Sequence, residues 1–137
     1  RTCAVEHRCV WKSTGDRLDF SEAKEAEIST LTSFKEGDQH AASRRSSRHY
    51  QVQTISLSDL MAGHKAPAQP DYLSIDTEGS EFEILEAFDF KRYPSKVITC
   101  EHNFTPAREK IHGLLTAAGY VRKYEKVSDF DDWYVRA

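Results

Sequence analysis

PDYLSIDTEGSEFEIL, residues 70–85, joins a short apolar run to a group of three carboxylates. DYLSIDT has the length and β-branched content of a buried strand, and SEFEILEAF has apolar residues at helical spacing. The stretch therefore predicts a strand, a tight turn and a helix. Asp76, Glu78 and Glu81 lie around Gly79 in that turn.

Helix capping explains part of this pattern. Ser80 followed by Glu83 is a capping box, and acidic residues such as Glu81 favour the positive end of a helix. Gly79 suits a turn that needs a positive φ angle. Capping does not explain Asp76, which directly follows the buried run, so we expect Asp76 to have a functional role.

A second predicted strand, VITCEHN, also ends in polar residues, Glu101, His102 and Asn103. From Tyr50 onward strands alternate with helices, which predicts βαβ units on a mainly parallel sheet with an antiparallel pair of strands at the C-terminus. Ligands of such sheets bind at the carboxyl ends of the strands. We therefore expect Asp76 to lie near these residues, in a crevice that binds a hydroxyl or amine donor, holds a divalent cation through oxygen, or deprotonates a nucleophile.

The remaining segments are assigned from local signals. CAVEHRCVWK and RLDF predict a hairpin within residues 3–20, and residues 21–47 predict a loop or a weak helix. The basic RRSSRH cluster at 44–49 favours a solvated loop over an anion site. SLSDLMAG predicts a helix that begins at Ser56 or Ser58, and TPAREKIHGLLTAAGY predicts a helix capped by Thr105. DFDD at 129–132 is interpreted as the turn between the last two strands.

Length and composition limit the classes of protein. The chain has 137 residues, 39% hydrophobic and 30% charged, which suits one globular domain over residues 1–137. Its net charge of −3 disfavours nucleic-acid binding, and it contains no apolar run of membrane-spanning length. Cys3, Cys9 and Cys100 show no metal-ligand spacing, so we expect reduced thiols and a cytoplasmic location.

The motifs at the two strand ends resemble the FkbM family of S-adenosylmethionine-dependent methyltransferases. The similarity runs through VQTISLSDLM, PDYLSIDTEGSEFEILEAFDF, VITCEHNF and IHGLLTAAGY. It implies an α/β fold of class I methyltransferase (Rossmann-like) type, a reversed last strand, and methyl transfer to the hydroxyl of a small-molecule or sugar-like acceptor.

The resemblance also implies roles for individual residues. Asp76, Thr77, Glu78 and Gly79 would lie beside the cofactor S-adenosylmethionine, and Glu101 and His102 would line the acceptor side. The implied catalytic residues are therefore Asp76, Glu101 and His102. The resemblance assigns neither the general base nor a metal ligand.

The sequence also departs from the family pattern. It has six glycines but no G-x-G, the glycine-rich turn that holds such cofactors in α/β folds. We therefore expect the chain to be the C-terminal part of a methyltransferase domain that lacks the first strands. Exposed sheet edges would then favour a partner, such as a homo-oligomer.

Two other functions fit part of the pattern. IDTEGS and DFDD are similar to the acidic motifs of magnesium-dependent phosphohydrolases of the haloacid-dehalogenase type, although Glu78 stands where those enzymes have a second Asp. A non-catalytic, methyltransferase-like domain for binding or assembly is the other alternative, favoured by the missing glycine-rich turn.

Overall fold

A computed structural model describes residues 3–36 and 38–137. Within these residues the chain forms eight strands, three α-helices and two short 3-10 helices. The strands are β1 (Cys9–Trp11), β2 (Arg17–Glu22), β3 (Thr30–Leu31), β4 (Arg48–Ser56), β5 (Tyr72–Ile75), β6 (Val97–Glu101), β7 (Tyr120–Lys123) and β8 (Asp131–Arg136). The helices are α1 (Leu57–Gly63), α2 (Glu81–Glu86) and α3 (Ala107–Ala117), and the 3-10 helices are Ala26–Ile28 and Thr32–Phe34.

The first sheet has the order β1-β4-β2-β3. β4 lies between β1, to which it is parallel, and β2, to which it is antiparallel. The hairpin predicted within residues 3–20 is therefore wrong, because its two strands do not pair with each other. β4 is nine residues long, and it pairs with β1 along one edge and with β2 along the other.

The second sheet has the order β5-β6-β8-β7 and carries the predicted motifs. β5 and β6 are parallel and are joined through α2, so their carboxyl ends lie at the same edge. β8 is antiparallel to both of its neighbours. The antiparallel pair predicted at the C-terminus is confirmed, although Asp131 and Asp132 belong to β8 and not to the preceding turn.

The structure is mixed α/β, but the predicted mainly parallel sheet is not confirmed. Among the described residues two strand pairs are parallel, β1–β4 and β5–β6, and the other four are antiparallel. The alternation of strands and helices predicted parallel pairs. It did not show that β8 would insert between β6 and β7, or that β2 would pair with β4.

One face of the second sheet forms the core with the helices. Leu73, Ile98 and Tyr134 are buried on this face against Leu85 of α2 and Leu115 of α3. Alternate residues of the same strands point to the opposite face, as the two-residue period of a strand requires. The core therefore fixes α2 and α3 against the second sheet, and with them the two turns that follow β5 and β6.

The helix ends follow the predictions in part. The side chain of Ser56 accepts a hydrogen bond from the N–H of Asp59 and caps α1, as predicted. Gly119, with φ +89°, follows the last turn of α3, where its freedom to adopt a left-handed conformation is needed. The predicted cap at Thr105 is not confirmed, because α3 begins after Pro106 without a side-chain cap.

Two predictions about the whole chain can be compared with the structure. All three cysteines carry free thiols. Within the described residues, no helix combines the length and apolar character needed to cross a membrane.

Candidate active site

The turn after β5 is left-handed at two successive residues. Glu78 has φ +57° and Gly79 has φ +116°, so the prediction of a positive φ at the glycine is confirmed. The carboxylate of Glu81 accepts hydrogen bonds from the N–H of Thr77 at 2.8 Å and from the N–H of Gly79 at 3.1 Å. One buried side chain of α2 thus holds the backbone of the whole turn.

The predicted capping box is wrong, because Glu81 and not Ser80 binds the N–H groups of this turn. The N-terminus of α2 has no side-chain cap from Ser80, and the Ser80 hydroxyl instead donates to Oγ1 of Thr77 at 2.9 Å. The Glu81 carboxylate takes the N–H groups of the turn.

Gly79 is required for space as well as for its backbone angle. A Cβ atom at this position would lie 3.0 Å from Cβ of Phe34, closer than such atoms normally approach. The 3-10 helix that contains Phe34 therefore packs directly on the turn.

Arg44 fixes the side chain of Glu78. Its guanidinium is completely buried and lies 2.7 Å from the carboxylate of Glu78 and 2.7 Å from that of Asp38. Thr30 donates its hydroxyl hydrogen to the carbonyl oxygen of Glu78 at 2.7 Å. The predicted solvated loop is therefore wrong for Arg44, although its neighbour Arg45 is exposed.

No signal in the sequence marks Arg44 apart from the other basic residues of RRSSRH. Its role depends on a carboxylate 34 positions away in the chain. Asp38, its second partner, was likewise not singled out.

The end of β6 lies beside this turn. Carboxylate oxygens of Asp76, Glu78 and Glu101 all lie within 4.8 Å of one another, so the structure brings together three of the predicted site residues. Asp76 is exposed, whereas Oε2 of Glu101 is buried and has no hydrogen-bond partner among the described residues. Three carboxyl groups this close can share a proton or a cation.

The electrostatics of the cluster favour a proton on Glu101. Burial, together with the negative charges of Asp76, Glu78 and Glu81, raises the pKa of Glu101 to about 8. Burial also raises the pKa of Glu78, against the opposing effect of Arg44. Glu101 is therefore a carboxyl group that changes its protonation state near neutral pH.

Asp131 is a further member of this acidic edge, although DFDD was predicted as a turn and, in the phosphohydrolase alternative, as an acidic motif. It pairs with Glu101 across β6 and β8. Burial and the charge of Asp76 raise the pKa of Asp131. Asp131 could be predicted as a neighbour of Glu101 only if the pairing of β8 with β6 were known.

His102 lies beside the cluster but contacts different groups. Its Nδ1 accepts the N–H of Phe104 at 3.0 Å, and its Nε2 lies 3.8 Å from a carboxylate oxygen of Asp132. Arg108 binds the Asp132 carboxylate with two hydrogen bonds, at 2.9 and 2.7 Å. Burial and the charge of Arg108 lower the pKa of His102. The imidazole is therefore neutral at neutral pH, and its catalytic role stays a prediction.

A cleft of about 200 Å³ opens beside Glu101, between the N-terminal ends of α2 and α3. Glu101, His102, Gly79 and Glu81 line it, whereas Asp76 and Glu78 do not. Asn103, predicted in the same crevice, also lines it. The other lining residues, which were not predicted as site residues, are Phe34, Asp38, Phe82, Glu83, Thr105, Pro106, Ala107 and Lys110. Glu101 thus belongs both to the acidic cluster and to the cleft.

Comparison with known proteins identifies the family. Residues 2–134 match the family described as the methyltransferase FkbM domain. No curated protein gives a significant match, and neither does any solved structure. The match covers nearly the whole chain, including both strand ends and the cleft. The chain belongs to the FkbM methyltransferase family.

Proposed function

We propose that this chain transfers a methyl group from S-adenosylmethionine to a hydroxyl oxygen of a small-molecule acceptor. The observation that carries the proposal is the carboxyl group of Glu101, which faces both an acidic cluster and a cleft. The cluster suits a cationic cofactor, and the cleft offers space for the acceptor.

The residues of the β5 turn suit this cofactor. When bound, S-adenosylmethionine supplies a methyl group on a positively charged sulfur, and carboxylates attract such a charge more strongly in a partly buried site than in water. Asp76 and Glu78 would hold the cofactor from the end of β5, with Thr77 and Gly79. Because Arg44 and Glu81 fix this turn, its groups are already in place before a ligand binds, which lowers the cost of ordering them.

Glu101 is the proposed general base. A hydroxyl group must lose its proton as its oxygen attacks a methyl group, and a base works best when its pKa is close to the working pH. The pKa of Glu101, raised to about 8, meets this condition. Its Oε2 is buried without a partner among the described residues, so the hydrogen of an acceptor hydroxyl bound there would satisfy it.

The sheet order supports a finer assignment of the fold. In this proposal β5, β6, β8 and β7 form the C-terminal part of a class I methyltransferase sheet, and β8 is its reversed last strand. The cytoplasmic location and the homo-oligomer stay predictions.

The proposal is tested by transfer of a labelled methyl group from S-adenosylmethionine to a panel of hydroxyl compounds. We expect Glu101→Gln to reduce the rate by about 10²–10⁴-fold, the usual contribution of a general base. Glu86→Gln, at an exposed position of α2, is the matched control and should keep the rate of the unmodified protein. Full activity in Glu101→Gln would contradict the role of the base, and transfer to amines or thiols alone would contradict the acceptor class.

A further inference from the structure

The cleft has two aromatic walls. Phe34 and Phe82 are both partly buried, and both line it. Phe34 is held from behind, because its ring makes an edge-to-face contact with Trp11 at 6.0 Å and its Cβ packs on Gly79. Phe82 packs against the core of the second sheet. The rings therefore present fixed apolar surfaces to the cleft.

Two of the four acidic groups in the cleft, Asp38 and Glu81, already have partners. The carboxylate of Asp38 binds Arg44, and that of Glu81 binds the backbone of the β5 turn. Oε2 of Glu101 is buried and has no partner among the described residues. A ligand in the cleft thus meets two aromatic side chains and, at Glu101, a carboxyl group with one oxygen that no described residue satisfies.

Charge in the cleft opposes an anionic ligand. Among the described residues four carboxyl side chains line it, and Lys110 is the only Lys or Arg that does so. The ammonium group of Lys110 lies 5.6 Å from the centre of the Phe82 ring, where it gains a cation–π interaction. These carboxyl groups repel a negatively charged ligand, and the repulsion is strongest where water is partly excluded.

The size of the cleft limits the ligand to one ring. Its volume of about 200 Å³ is below the range of about 300–1,000 Å³ that is usual for drug-sized ligands. A flat or puckered ring of low polarity suits a cleft of this size that two aromatic side chains line, since ring faces and edges pack well against such side chains.

We propose that the acceptor is an uncharged alcohol that carries its hydroxyl on a single apolar ring, a phenol or a simple cyclic alcohol. Phe34 and Phe82 bind the ring, and Glu101 receives the hydroxyl. This inference rests on the proposed function, because it names the acceptor of the same reaction. It excludes acceptors with a carboxylate or phosphate group next to the ring and acceptors as polar as a free sugar.

The test compares three probes by NMR titration of the isotope-labelled protein at pH 7.5, without cofactor. 4-Methylphenol and 4-hydroxybenzoate differ in charge at one position, and methyl glucoside is the polar ring. We expect 4-methylphenol to shift the signals of Phe34, Phe82 and Ala107 with millimolar affinity, and each other probe to bind at least about tenfold more weakly, a difference of about 1.4 kcal/mol. Tighter binding of 4-hydroxybenzoate that is lost in Lys110→Met would overturn the proposal, as would tighter binding of methyl glucoside.

Two variants locate the binding. Phe82→Ala removes one wall, and Ala107→Leu fills the cleft from α3 without deleting any packing. Both should abolish the shifts caused by 4-methylphenol in a protein that keeps its folded spectrum. If Phe82→Ala does not fold, Ala107→Leu decides alone, and unchanged binding in the folded variant would exclude this cleft.

A parallel titration with S-adenosylmethionine separates this inference from the proposed function. Binding of 4-methylphenol without binding of the cofactor would contradict the methyltransferase role of the chain and leave the cleft as a ring-binding site. Binding of the cofactor with no response to 4-methylphenol would contradict the acceptor class alone.

Discussion

The ends of β5 and β6 carry the same kinds of residue but differ in how their polar groups are satisfied. After β5, the carboxylate of Glu78 is paired with Arg44 and that of Glu81 with backbone N–H groups. After β6, Oε2 of Glu101 and Nε2 of His102 are buried without hydrogen-bond partners among the described residues. Buried polar groups are normally paired, so the protein itself fixes the turn after β5, whereas the groups at the end of β6 can complete their hydrogen bonding with a ligand.

The largest expected effect comes from breaking the support at Arg44. In Arg44→Met, Asp38 and Glu78 lose their shared cation, and we expect the free energy of unfolding to fall by about 3–5 kcal/mol, as for other buried pairs with one partner removed. Denaturant titration measures this change. Arg45→Met, at the exposed neighbour, should change stability by less than about 0.5 kcal/mol. Equal effects of the two variants would show that the buried pairs do not support the turn.

The second effect is expected at Glu81. Glu81→Gln removes the charge that accepts the N–H groups of Thr77 and Gly79, and hydrogen bonds to charged groups contribute about 1.5–3 kcal/mol. The unfolding free energy should fall by an amount in that range. Glu86→Gln in the same helix is the control, and its exposed side chain should make little difference. A loss no larger than that of the control would restore the simpler view of Glu81 as a helix-dipole residue.

A smaller effect tests the backbone of the same turn. Gly79→Ala places a Cβ atom 3.0 Å from Phe34 on a residue with φ +116°, so we expect destabilisation of about 1–3 kcal/mol. Gly113→Ala in α3 is the matched control, because a Cβ atom there meets nothing within 4 Å. It should stabilise the protein by about 0.5–1 kcal/mol through helix propensity. Thermal unfolding of the two variants should therefore shift in opposite directions, and a parallel shift would contradict this account.

The last test concerns the pH dependence of stability at the β6 end. The pKa of Glu101 is raised in the folded protein from 4.5 to about 8, so the folded state binds the proton more tightly than the unfolded state. The resulting stabilisation is complete below about pH 4.5 and is lost as the pH rises through 8. The stability of Glu101→Gln relative to the unmodified protein should thus increase between pH 5 and pH 8.5. A pH-independent difference would show that Glu101 titrates normally.

Much of the second sheet could be predicted because its signals are local. The apolar run before Asp76, the helical spacing after Gly79 and the glycine after α3 each specify an element without reference to the rest of the chain. The meeting of Asp76 and Glu101 followed from one general rule, that parallel strands share their carboxyl edge.

The rest depends on contacts between distant segments. The position of Arg44 requires a partner 34 residues away, and the partners of β4 depend on which strands reach its two edges. The capping box predicted at Ser80 is wrong because the Glu81 carboxylate accepts the N–H groups of this turn. Local propensity does not decide which of the two side chains binds them. The aromatic walls of the cleft, Phe34 and Phe82, come from two elements that the tertiary fold alone brings together.

The most direct test of the central claim is calorimetric titration of the chain with S-adenosylmethionine, with Asp76→Asn in parallel. If the acidic strand ends hold the cationic cofactor, the chain binds it, and loss of this carboxylate weakens binding at least about tenfold, or 1.4 kcal/mol. Asp19→Asn, at an exposed position of β2 in the other sheet, should leave the affinity unchanged. No binding by the folded chain, or equal binding by both variants, would contradict the assignment of the cofactor site.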